Sequence, residues 1–167
     1  MDRDFSEFRP SRVWKRLSPE QRLAVAEPFW DDDQSTEQQA EAIAAIAARM
    51  KFRTKSVLAL SRDKRVKYLA TLPTISDTIV ARALVAYHLE HQRAMMSAFL
   101  DSLGITHENG LIADDTAPKP DAAALRSAAA ELATKYPAED VSLYFSTLVS
   151  QDPDTWGELA ETLVESR

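Results

Sequence analysis

The sequence predicts an all-α protein: a bundle of seven to nine helices wrapped round one long central helix at about 76–103. Three observations carry that reading. Only three glycines occur in 167 residues, too few to furnish the turns of a β-rich or dinucleotide-binding fold. Alanine-rich stretches run long between turn signals, and alanine is the best helix former. Serine, aspartate and proline then stand where helices should begin.

Length and composition bound the rest. With 45% apolar and 28% charged residues, the chain has ordinary globular values and reads as one domain, 1–167, with a docking arm at 1–10. The absence of cysteine excludes disulfides, thiolate catalysis and cysteine metal sites. The N-terminus lacks the apolar stretch of a signal peptide and no segment suits a membrane span, so a cytoplasmic protein with no membrane partner is expected. Charge is unevenly spread. Residues 1–75 hold 14 Lys and Arg against 11 Asp and Glu; residues 76–167 hold 6 against 15. The acidic half disfavours non-specific nucleic-acid binding by the whole chain, while the basic half keeps a local anion site open.

In order, Phe5 and Phe8 let the first ten residues dock through aromatics. Ser11–Leu17 suits a short helical turn. Ser18-Pro19-Glu20-Gln21 combines a cap, a proline at the first helical position and a capping-box glutamine, and its helix stops near Pro28. Asp31-Asp32-Asp33 lacks the alternation, glycine and closing glutamate of a calcium loop. It reads as a solvated start to the helix Thr36–Met50, whose apolar face is Ala40, Ile43, Ala44, Ile46 and Ala47. A short helix near Ser56–Leu60 and another from Ser61 to about Thr71 follow. The capped starts at Leu17-Ser18 and Leu60-Ser61 lie 43 residues apart, but no third copy follows, so they are two caps and not a repeat.

The central helix opens at Ser76-Asp77 and closes at Leu103-Gly104. As one helix it would be roughly 40 Å long. Its wheel is apolar nearly all round, which marks a buried helix, yet Asp77, Arg82, Glu90, Arg93 and Asp101 interrupt it too often for a span. After Gly104 a long loop holds the turn Thr106–Gly110, with Leu111-Ile112 tucked into the core and Asp114, Asp115, Pro118 and Pro120 facing water. Helices from about Asp121 to Lys135, from Ala138 to about Ser150, and from Asp152-Pro153 onward close the chain. The last carries Trp156, Leu159, Leu163 and Val164 on one face.

Two places are chemically unusual. The first is the polar waist of the central helix, with Tyr87, His88, Glu90, His91, Gln92 and Arg93. His88 and His91 stand at i, i+3, a spacing at which two imidazoles can share one divalent metal. Glu27, Glu41, Glu131, Glu139 and Asp140 could complete such a site. The Glu-x-x-His pair of di-iron bundles is absent, as is His-Glu-x-x-His. A hydrogen-bonded polar layer, with Glu90 and Arg93 paired at its edge, is the stronger reading. The second is the basic segment 49–67, with Arg49, Lys51, Arg53, Lys55, Arg62, Lys64, Arg65 and Lys67 against Asp63 alone.

Basic helix, short turn and Ser76–Leu84 follow in the order of a helix-turn-helix. A recognition helix must show polar side chains to base edges. This one offers mostly Asp77, Thr78, Ala81 and Arg82, so nucleic acid is disfavoured as a partner. No nucleophile elbow and no glycine-rich phosphate loop occurs. The sequence therefore points to a non-enzymatic protein-interaction or regulatory domain. Metal or small-ligand binding at Tyr87, His88, Glu90, His91 and Arg93 is the alternative. Anion contact through Arg49, Lys51, Arg53, Arg62, Lys64, Arg65 and Lys67 is a second.

Overall fold

The computed structural model describes residues 3–113 and 118–165, and it is all-α, a multi-helix bundle. Asp114 and Asp115 lie outside the described residues, and so does the side chain of Val164. Among the described residues there are eleven α-helices and one two-stranded hairpin. They gather into two compact units, one of residues 9–90, the other of residues 3–8 and 91–165.

The first unit contains α1 (Pro10–Arg16), α2 (Pro19–Phe29), α3 (Thr36–Met50), α4 (Thr54–Leu58), α5 (Arg62–Ala70) and α6 (Asp77–His91) up to Glu90. Ser18 caps α2 in a complete capping box with Gln21; Ser61 caps α5 by accepting from the Lys64 amide. These two capped helices pack on each other. Val25, Phe29, Ile46, Val57, Leu69, Ile79, Val80 and Leu84 are sealed inside the unit. The face of α3 is Ala42, Ile43, Ile46 and Ala47. Ala40 and Ala44, expected on it, are exposed: the larger isoleucines and Ala42 set the buried stripe, and two methyls cost little in water.

Helix α6 is tied down at its start. Ser76 accepts from the Ile79 amide and caps it. Asp77 does something else: its carboxylate accepts from the Ser11 amide at 2.9 Å and from Arg9. Since α1 has no capping side chain of its own, Asp77 caps α1 from another helix, satisfying an amide that α1 leaves open. Those bonds from Ser11, then from Arg9, hold the Asp77 carboxyl below its ordinary range.

The single central helix at 76–103 is corrected to two. Continuity is lost at Gln92, whose φ of −127° and ψ of 22° are not helical, and α7 runs from Arg93 to Ser102. Glu90, His91, Arg93 and Ala94 are all exposed around the break, so water can satisfy the freed backbone groups. The nearly all-round apolar wheel was the sum of two helices with separate burial. Ile79, Val80, Ala83 and Leu84 serve one unit; Met95, Met96, Phe99 and Leu100 serve the other.

In the second unit α7 packs on α8 (Ala122–Lys135), and α11 (Glu158–Glu165) packs on both α8 and α9 (Ala138–Gln151). The short α10 (Pro153–Trp156), capped by Asp152, separates α9 from α11. A 3-10 turn at Ser6–Phe8 lies on α9. Phe99 is the hub: its ring lies 5.1 Å from Phe145, 5.7 Å from Tyr144 and 6.0 Å from Trp156. Burial raises the Tyr144 hydroxyl pKa. Between α7 and α8, β1 (His107–Glu108) and β2 (Leu111–Ile112) pair antiparallel. Asn109 and Gly110 both have positive φ, the two-residue hairpin turn that Asn-Gly favours. Leu111 and Ile112, expected in the core, are instead 48% and 41% exposed. A two-residue strand pairs its backbone without burying its side chains.

Candidate functional site

The polar waist separates into residues of different character. His88 is buried at 3% exposure. Its Nδ1–H donates to the Leu84 carbonyl at 2.8 Å, one turn back, and its ring meets Tyr87 edge-on at 5.2 Å. Burial pulls its pKa down to about 4, against the opposing effect of the Leu84 bond, so the imidazole is neutral near pH 7. Tyr87 is half-buried, whereas Glu90, His91 and Arg93 are exposed. Arg93 donates to the carbonyl of Asn109 at 3.2 Å, holding the hairpin turn to the start of α7. Among the described residues no group of three or more His, Asp or Glu gathers where a metal could bind.

The basic segment divides into cations that build the fold and cations that do not. Arg62 forks onto Asp31 and donates to the Glu27 carbonyl at 3.2 Å. It thus joins the start of α5 to the end of α2, where the helix dipole favours a positive charge. Arg65 donates to the Leu58 carbonyl at 2.8 Å and lies over the Trp30 ring at 5.8 Å. Asp31 and Asp32 of the acidic run are consumed likewise. Asp32 accepts from the Gln34 amide, the Ser35 hydroxyl and Arg82. Burial pushes its carboxyl pKa up, but those bonds outweigh it and leave the pKa lowered.

Arg49, Lys51, Arg53, Lys55, Lys64 and Lys67 are all exposed, and none forms an ion pair among the described residues. No acidic residue lies between Glu41 and Asp63 in the sequence. Three large apolar side chains surface among these cations: Met50 at 37%, Phe52 at 40% and Leu58 at 53% exposure. Phe52 leans edge-on against Tyr68 at 6.0 Å, which steadies it without covering it.

Lys51 adds a second oddity. It ends α3 in the left-handed conformation, φ 56° and ψ 37°, which glycine usually supplies. The Phe52 amide bonds to the Ala47 carbonyl at 2.9 Å and closes the turn. This turn throws Met50, Lys51, Phe52 and Arg53 outward together. Sequence reasoning named the cations and missed Met50 and Phe52. The alternation Arg49-Met50-Lys51-Phe52-Arg53 was the available signal.

Neither the models of known protein families, nor the curated proteins, nor the solved structures match this chain. Its class is therefore defined by the fold alone: an all-α multi-helix bundle in which no described helix is long and apolar enough to cross a membrane.

Proposed function

We propose that this chain is a non-enzymatic protein-interaction module, and that the surface 49–58 docks an acidic, partly apolar segment of a partner protein. The observation that supports it is the alternation of cations lacking acidic partners with exposed Met50, Phe52 and Leu58. A purely solvated basic surface has no need of exposed aromatic and aliphatic side chains, and apolar patches rimmed by charge mark contact sites. Charge complementarity selects an acidic partner and steers its approach. Met50 and Phe52 would supply the desolvated centre from which affinity comes. A polyanion such as nucleic acid would use the same cations, but the chain's net charge of −6 opposes it.

Fluorescence anisotropy with two labelled peptides tests this. One is an amphipathic helix carrying Glu on its polar face and Leu and Trp on the other; the second replaces every Glu by Lys. The acidic peptide is expected to bind at about 50 mM salt, to weaken as salt rises, and to lose most of its affinity in Arg49→Glu/Arg53→Glu/Lys55→Glu. Failure of the acidic peptide to bind, or tighter binding of a duplex DNA oligomer of equal length, would overturn the reading.

A further inference from the structure

The unit formed by residues 3–8 and 91–165 contains a cleft of ≈ 560 Å³. That volume lies in the range of small-ligand sites. Its lining mixes apolar Phe5, Leu125 and Pro153 with charged Arg3, Asp154 and Glu158.

Gly157 explains how Phe5 comes to be there. A Cβ on Gly157 would stand 2.6 Å from the Phe5 ring and 2.6 Å from the Pro153 carbonyl oxygen. Only glycine lets the ring of the N-terminal arm lie against this backbone. Arg3, two residues earlier, then reaches Glu158 at 3.1 Å and Glu161 at 3.3 Å. Glu158, just 8% exposed, is also held by Arg126 of α8. These arginines keep the Glu158 carboxyl pKa lowered, so the carboxylate stays ionised beside the cleft.

The charge of the cleft follows from these pairings. Both terminal nitrogens of Arg3 already serve carboxylates, which leaves it a poor receptor for an anion. Asp154 is exposed, lines the cleft, and forms no ion pair among the described residues. Glu158 is committed in the same way, Oε1 to Arg126 and Oε2 to Arg3, so Asp154 is the carboxylate left to the space, next to an aromatic ring that can itself favour a cation.

We infer that this cleft binds a small organic monocation, an amine or amidine carrying an apolar body, with its charge towards Asp154 and its body against Phe5 and Leu125. The site belongs to a different unit from the surface 49–58 and is independent of the protein-docking reading.

The test uses the full chain and benzamidine as probe, with benzoate as an aromatic of opposite charge. Backbone amide signals are followed by heteronuclear NMR. Benzamidine should shift the Thr155 and Gly157 signals saturably, and benzoate should not. Asp154→Asn, an exposed substitution whose folding is checked by circular dichroism, should weaken benzamidine by about fivefold, the loss of one charge-assisted contact. No saturable shift with benzamidine, an equal response to benzoate, or unchanged affinity in Asp154→Asn would each overturn the assignment.

Discussion

Arg62 Nε donates to Asp31 Oδ1 at 2.7 Å while its Nη2 reaches Oδ2 and the Glu27 carbonyl. One side chain of α5 therefore binds both a carboxylate beyond the end of α2 and a carbonyl within its last turn. The bond from Arg62 lowers the Asp31 carboxyl pKa even though burial opposes it. A carboxyl lowered in the folded state stabilises above its unfolded pKa, and that stability is lost as pH falls through the folded one. Asp31 is 58% exposed and Arg62 39%, so solvent screens the pair heavily. Arg62→Gln should cost about 0.5–1 kcal/mol in urea unfolding at pH 7 and leave acidic-peptide binding within about twofold. A large loss of binding with unchanged stability would move Arg62 from the scaffold to the docking surface.

Lys51 occupies a left-handed conformation that suits glycine. A non-glycine residue there carries strain of about 1 kcal/mol. If the lysine is retained for contact, stability and binding should move in opposite directions. Lys51→Gly is expected to stabilise the chain by roughly 0.5–1 kcal/mol and to weaken the acidic peptide. Unfolding curves and anisotropy on the same sample measure both, and a variant that binds as well as the parent would remove Lys51 from the site.

His88 makes stability depend on acidity in a fixed window. Its pKa is about 4 in the fold against about 6.5 in an unfolded chain. The unfolded state therefore takes up a proton first as pH falls. The stability that neutral His88 preserves is full above about pH 6.5 and is lost as pH descends towards 4. Between pH 7 and pH 4 the parent should lose about 2–3 kcal/mol more than His88→Leu. Parallel pH slopes for the two proteins in chemical denaturation would show that His88 is not the group responsible.

Gly110 sits at φ +92°, and an added Cβ would stand 2.8 Å from both Cβ and Cε of Met96. Met96 is buried in α7, so its Cβ cannot move aside cheaply. Gly110→Ala should destabilise the chain by roughly 1–3 kcal/mol through strain and overlap together. The cross-strand contact between Glu108 and Leu111 should vanish from NOE spectra at the same time. Retention of that contact at unchanged stability would contradict the tight fit of turn on helix.

Much of the fold was legible because its signals are local. Ser18 with Gln21, Ser61, Ser76, Asp121 and Asp152 each act within three residues of themselves. The break at Gln92 was not legible. No proline or glycine marks it, and a 100° wheel cannot distinguish one helix buried all round from two helices buried on different sides. The Asn109-Gly110 pair did signal a turn. It could not signal that Leu111 and Ile112 stay exposed, since that depends on what lies across from a strand.

By itself, the sequence determined the helical class, most helix starts, and the absence of any acidic residue between Glu41 and Asp63 around the first basic residues of segment 49–67. Helix propensity and capping are properties of residues close in the chain, so they survive without tertiary knowledge. Tertiary structure alone decided which charges are consumed. It placed Arg62 on Asp31 and Arg82 on Asp32, Asp77 at the start of α1, and Arg3 and Arg126 on Glu158. It left Arg49, Lys51, Arg53 and Lys55 beside exposed Met50 and Phe52. Ion pairing acts over a few ångströms between residues 31 to 155 positions apart, a separation that no local pattern encodes.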